Sequence, residues 1–268
     1  MSNTLNLDTF KTKFTQDWWN KLEPFFKTQE AFNIYSFLKE KSKKGATILP
    51  ESSKTYEAFR LCSLKDLKIV AILMEPYSTM LGKVPIADGL ALSCSNTNKL
   101  QPSLDFFWKS LQNQFEDITD FTPNLDWIAE QGVLLLNASL TVNKNQIGSH
   151  LDVEGKNLWE PFMKYLFSEA LFNNTGLIYI LCGKDAQKLE KYISPLGNYI
   201  LKTQHPSFAA RNQNDDWNAD EVFKKANRII QINNGEEFCI EWNKSKYDFQ
   251  KSLKQNGLTQ KDVDQCPF

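Results

Sequence analysis

Four short apolar runs, KIVAILM at 68–74, GVLLLN at 132–137, LIYILC at 177–182 and YILKT at 199–203, are separated by stretches of helical periodicity. Compact runs rich in aliphatic and β-branched residues, bounded by polar or glycine positions, read as strands buried on both faces. Four such strands alternating with helices predict an α/β fold: a single domain with a central four-stranded parallel twisted sheet, flanked by helices on both faces. Ligands in open sheets of this class bind beyond the carboxyl ends of the strands. Candidate chemistry therefore falls in Glu75-Pro76-Tyr77, Asn137-Ala138-Ser139, Gly183-Lys184-Asp185 and Gln204-His205-Pro206-Ser207.

Ahead of the first strand, residues 7–44 carry an amphipathic helical pattern, with Phe10, Phe14, Trp18 and Leu22 recurring at i+4 and Phe32, Tyr35 and Phe37 continuing it. Further helices are expected over 56–63, 103–114, around Trp127, after Trp159 to 172 and over 184–192. The chain divides into a helical lead-in packed on the core (1–54), the main domain (55–243) and a polar, peripheral tail (244–268). No internal repeat, glycine-rich phosphate loop or low-complexity tract interrupts this plan.

Composition narrows the function classes. With 268 residues, 41% hydrophobic, seven Trp and nineteen Phe, the chain buries enough apolar surface to fold without staples. Cys62, Cys94, Cys182, Cys239 and Cys266 are scattered and odd in number, which argues against a disulfide framework and a thiolate metal site. His150 and His205 are the two histidines and lie far apart, so no metal is expected. No apolar run reaches the roughly 20 residues of a membrane span, and the opening residues lack a secretory pattern; a cytoplasmic protein with no membrane partner is expected. A net charge of -1 gives no global attraction to nucleic acid, although a local basic face such as KEKSKK at 39–44 remains open.

Several segments together resemble the ordered motifs of family-1 uracil-DNA glycosylases: Met74-Glu75-Pro76-Tyr77 after a buried strand, Gly89-Leu90, GVLLLNASLTV at 132–142, Gly148-Ser149-His150, Trp159-Glu160 and His205-Pro206-Ser207. The resemblance spans about residues 59–242 and implies that 55–243 is a glycosylase-like catalytic domain acting without metal or organic cofactor, as a monomer.

Taken alone, Asn137 would cap a turn, Glu75 would be a solvated loop carboxylate, His205 a structural histidine and Tyr77 core material. The resemblance gives them other work. Asn137 would accept from N3–H and donate to O4 of a flipped uracil, a two-point reading that a planar amide supplies. Glu75 stands where the family has Asp, a carboxylate that positions water and opposes the positive charge of the departing sugar. Glu is one methylene longer, and misplacement by about 1 Å can cost roughly a hundredfold in rate. His205 would donate to uracil O2 as charge builds there. Tyr77 would stand against C5 and exclude a methyl group, with Met74 also beside the base. Leu92 falls where the family stacks a Phe under it.

Ser103 and Ser207 match serines that bind DNA phosphates. His150 reads as structural, whereas Gly183 and Lys184 are candidate phosphate neighbours. The family's duplex-inserting leucine is replaced by Phe208 and Ala209, of which Phe208 could wedge or stack. Ser78 and Asp88 replace family histidines, and the loop over 78–87 is longer than usual. The leading expectation is a monofunctional glycosylase that flips uracil out of single- or double-stranded DNA and leaves an abasic site. A glycosylase for another or C5-modified pyrimidine, and a catalytically silent DNA-binding relative, are the alternatives.

Overall fold

The computed structural model describes residues 5–257. Its strands are β1 (Ile48–Leu49), β2 (Ile69–Leu73), β3 (Met80–Leu81), β4 (Val84–Pro85), β5 (Val133–Asn137), β6 (Val142–Asn143), β7 (Ile178–Cys182) and β8 (Tyr199–Thr203). The main sheet has the order β5-β2-β7-β8 and is parallel throughout, as the four apolar runs predict. Every residue of β2, β5 and β7 is buried, which is why these strands appear as unbroken apolar runs. The edge strand β8 exposes Tyr199 and Lys202, so its run is the most polar of the four. The chain departs from β2 to one side for β5 and to the other for β7, opening a crevice beyond the carboxyl ends.

The helical lead-in is divided into α1 (Asp8–Lys11), α2 (Gln16–Phe26) and α3 (Gln29–Lys43). Threonines make the breaks. Thr15 and Thr28 are extended, and Thr28 Oγ1 accepts from the Ala31 N–H at 3.2 Å while donating to the Phe25 carbonyl at 2.7 Å. The apolar pattern nevertheless finds its partner. Phe14 and Trp18 meet Phe59 at 5.5 and 5.0 Å between ring centroids, and Phe25 meets Phe162 at 5.3 Å. Trp18 Nε1 donates to the Cys62 carbonyl at 2.8 Å, which satisfies its one polar atom inside the core.

The remaining helices are α4 (Glu57–Leu61), α5 (Pro102–Gln112), α6 (Asp126–Ala129), α7 (Glu160–Tyr165), α8 (Lys184–Gln187), α9 (Pro206–Asn212), α10 (Val222–Asn234) and α11 (Lys244–Gln255). The helix expected after Trp159 changes to a π-helical turn over Leu166–Ala170. Part of the expected polar tail is the helix α11, held by Lys246 to Asp117, by Lys251 to Glu130 at 2.6 Å and by Tyr247 beside Trp127. The rest of that tail, including Cys266, lies outside the described residues. None of the described helices is long and apolar enough to cross a membrane.

Candidate active site

The topology sets Asn137, Glu75, Gly183 and His205 at one end of the sheet. Asn137 is the last residue of β5 and pairs in register with Leu73, two residues before Glu75. Gly183 and His205 follow β7 and β8. The loop after β2 is tied to the one after β5, because Ala138 N–H donates to the Leu73 carbonyl at 2.9 Å and Ser139 N–H to the Met74 carbonyl at 3.1 Å. The carbonyl of Met74 is thus occupied in holding the two strand ends together.

Asn137 is buried, yet its carboxamide makes no hydrogen bond to any described residue. Both its donor and its acceptor therefore remain available to a bound base. Glu75 is held differently. Both carboxylate oxygens accept from the Gly148 N–H, at 2.8 and 3.0 Å. Burial pushes its pKa up to about 7, the Gly148 bond opposes the rise and the nearby Asp185 charge adds to it.

The loop that delivers Gly148 is itself fixed by His150. Trp159 Nε1 donates to Thr141 Oγ1 at 2.7 Å. His150 Nε2 lies 3.1 Å from Asn143 Oδ1, an amide oxygen that can only accept, so Nε2 carries the proton of the neutral ring and Nδ1 accepts from the Thr141 hydroxyl at 2.8 Å. His150 is fully buried with its pKa lowered to about 4, chiefly by burial. It is a structural group that shapes the Glu75 support.

His205 caps α9. Its Nδ1 accepts from the Ser207 N–H at 3.1 Å and lies 2.9 Å from Ser207 Oγ. A backbone N–H can only donate, so Nδ1 carries no proton and the neutral ring presents N–H at Nε2. Burial foremost, then the Arg211 charge, pushes the pKa down to about 4. Gly183 makes room for this ring: it adopts φ +88°, and a Cβ added there would stand 2.9 Å from the His205 Cβ. The sequence suggests a phosphate neighbour at Gly183; the contact with His205 depends on the approach of two strands and has no local signal.

Tyr77 is half-buried, and its hydroxyl donates to the Leu92 carbonyl at 3.1 Å. Burial raises its pKa far above the ordinary phenol range, and Ser103, in the first turn of α5, is among the groups acting on the hydroxyl. Leu92 is buried in a left-handed conformation, φ +66°, and lines a small apolar cavity with Leu73, Phe107, Thr203 and Pro206. Asp88 accepts from Ser93 Oγ at 2.6 Å and from the Ser95 N–H at 2.8 Å, which pins the segment carrying Leu92.

Phe208 is 44% exposed. Ala209, expected beside it at the duplex-facing edge, is instead buried: α9 turns this position inward, where it packs toward α5. Ser207 directs its hydroxyl to His205. The lengthened loop over 78–87 is a small antiparallel hairpin, β3 with β4. Lys184 is exposed at the start of α8. Among the described residues no group of three or more His, Cys, Asp or Glu is arranged to hold a metal ion.

Comparison with known proteins agrees with this geometry. Residues 79–231 match the family model described as the uracil DNA glycosylase superfamily, a segment containing Asn137 and His205. A uracil-DNA glycosylase of Campylobacter jejuni subsp. doylei is 31% identical over 228 residues, 85% of this chain and 93% of that protein. One from Christiangramia forsetii is 30% identical over 230 residues, 86% of this chain and 99% of its own length. Among solved structures, that of mimivirus uracil-DNA glycosylase covers 90% of each chain with a TM-score of 0.76 at 20% identity, a likeness of fold. With a family model matching more than half of its length and relatives 30–31% identical over 85–86% of it, the chain belongs to the uracil DNA glycosylase superfamily.

Proposed function

We propose that this protein is a monofunctional uracil-DNA glycosylase that hydrolyses the N-glycosidic bond of an extruded uracil and leaves an abasic site. One observation carries the reading: two neutral hydrogen-bonding groups, the Asn137 carboxamide and the His205 Nε2–H, are left unpartnered at the same end of the sheet while the rest of each residue is fixed. Asn137 reads N3–H and O4. His205 donates to O2. Tyr77 excludes a C5 methyl group, Leu92 gives apolar contact to the base face, and Met74 contributes the backbone beside it.

The C1′–N1 bond breaks with its electron pair leaving on the base, so negative charge grows on O2 and positive charge on the sugar. A donor already aimed at O2 and an ionised Glu75 facing the sugar each bind the transition state more tightly than the ground state. Water held by Glu75 adds its oxygen to C1′; one of its protons passes to the carboxylate, and uracil departs as an anion that is protonated afterwards. Ser103, Ser207 and the exposed Phe208 engage the DNA backbone and the gap left by the flipped base. The protein acts as a cytoplasmic monomer.

The test is release of uracil from a deoxyuridine-containing oligonucleotide, single-stranded and duplex, in the presence of EDTA. Release by the unaltered protein that is abolished in Asn137→Ala is expected. A folded protein that binds the oligonucleotide and leaves every base intact would overturn the assignment.

A further inference from the structure

The hairpin β3–β4 lies between Tyr77, a residue of the candidate active site, and Asp88, which pins the segment carrying Leu92. Its turn, Gly82-Lys83, joins the facing pair Leu81 and Val84, and Gly82 takes φ +61° as a glycine-first two-residue turn requires. Side chains alternate between the two faces of such a ribbon. The Met80–Pro85 pair faces inward: Pro85 is buried, and its carbonyl accepts from Asn96 Nδ2 at 3.2 Å. The Leu81–Val84 pair faces outward and is 55% and 44% exposed.

An outward face of a small hairpin is normally polar, and a bare apolar pair there is the informative exception. A second segment shares the anomaly. The Asn145 N–H donates to the Ser78 carbonyl at 2.7 Å, joining the root of the hairpin to the loop that carries Ile147, 78% exposed, and Gly148, the donor to Glu75. Lys83 at the hairpin tip and Lys144 on the loop are exposed and form no ion pair among the described residues. The combination of apolar side chains and unpaired cations, on segments that also carry Tyr77 and the Gly148 donor to Glu75, complements a nucleic acid strand with exposed base faces and charged phosphates.

We propose that the hairpin β3–β4 is a second strand-contacting element, in which Leu81 and Val84 pack against a base flanking the extruded nucleotide while Lys83 and Lys144 meet its phosphates. This rests on the reading of the site as one that acts on DNA. The same segment then gives a chain with buried Ala209 a further grip on its substrate besides the exposed Phe208. Because Ser78 and Gly148 lie on the two segments joined at Asn145, a strand seated on the hairpin also steadies the support of Glu75.

The experiment measures binding by fluorescence anisotropy, and uracil release, on single-stranded oligonucleotides carrying one deoxyuridine and lengthened one nucleotide at a time on either side. For the unaltered protein, affinity is expected to step up as one flank, and not the other, reaches the hairpin. Leu81→Ser combined with Val84→Ser should remove that step, weakening binding of the long substrate roughly tenfold, with kcat on the shortest substrate unchanged. Lys83→Glu, an independent change at a fully solvated tip, should reduce the slope of log affinity against log salt by about 0.7 for each phosphate that is no longer neutralised. Variants that bind every length and respond to salt as the unaltered protein does would overturn the proposal. Since binding is read apart from release, loss of the step with release intact speaks to the hairpin, and absence of release from all proteins speaks to the assignment of activity.

Discussion

Glu75 and His205 stand beyond β2 and β8 of the same sheet, and burial is the first cause of the pKa shift at both. Removal from water disfavours whichever form is charged, so it pushes the carboxyl up to about 7 and the imidazole down to about 4. For His205 this serves the reaction, because a neutral ring with its proton on Nε2 is a donor that stays a donor across the working pH range. For Glu75 it acts against the reaction, since a protonated carboxyl offers no charge to a cationic sugar. One physical effect prepares one half of the site and hinders the other. The single backbone N–H of Gly148 is what holds the carboxyl pKa from rising further.

Of the two contrasted groups, the histidine carries the larger expected effect. His205→Ala removes the donor aimed at the oxygen where charge develops, and a loss of about 10²–10³ in kcat is expected, the range for deletion of one such donor. Binding of a substrate-length oligonucleotide should change far less, because the donor acts mainly in the transition state. Single-turnover kinetics beside a direct binding measurement check both. An equal loss in binding and in rate would mean that His205 holds the base without favouring its departure.

The carboxylate half is tested by pH. With Glu75 protonated below about 7, kcat/KM should fall about tenfold for each unit of pH beneath that point, on a single limb. His205 adds no second limb until pH nears 4. Glu75→Asp draws the carboxyl back by one methylene, and a shift of the midpoint in that variant identifies the titrating group as residue 75. A profile flat through neutrality in the unaltered protein would erase the contrast between the two halves.

How far the sequence reveals this arrangement depends on the range of the forces involved. The strands are legible because burial on both faces makes each an uninterrupted apolar run; even β8, with exposed Tyr199 and Lys202, falls at its expected limits. Asn137 and His205 are legible from their positions beyond strand ends and from the family pattern around them. The lead-in is legible as helical, while its division into three helices is not, because Thr15 and Thr28 interrupt the helix without interrupting the spacing of apolar residues. The hairpin carries its turn signal in Leu81-Gly82-Lys83-Val84, yet strands of two residues have no periodicity to detect. The tautomer of His205 and the place of Gly183 against its Cβ arise from tertiary approach, which no local pattern records.

The smallest expected effect turns the same contrast into a stability measurement. Glu75 has a folded pKa near 7 against an unfolded value near 4.5, so between these limits the folded chain holds a proton that the unfolded chain releases. Stability contributed by this group is therefore full below pH 4.5 and is lost as pH rises through 7. Glu75→Gln cannot ionise and keeps an oxygen for the Gly148 N–H. The variant should accordingly gain on the unaltered protein as pH is raised from 4.5 to 8, by about 1–2 kcal/mol once screening by the water that reaches the carboxylate is allowed for. Urea unfolding at the two pH values measures the difference, while the same variant loses activity. A pH-independent difference would place the ionisation of Glu75 outside the energetics of the fold and remove the physical basis for the rising limb of the rate profile.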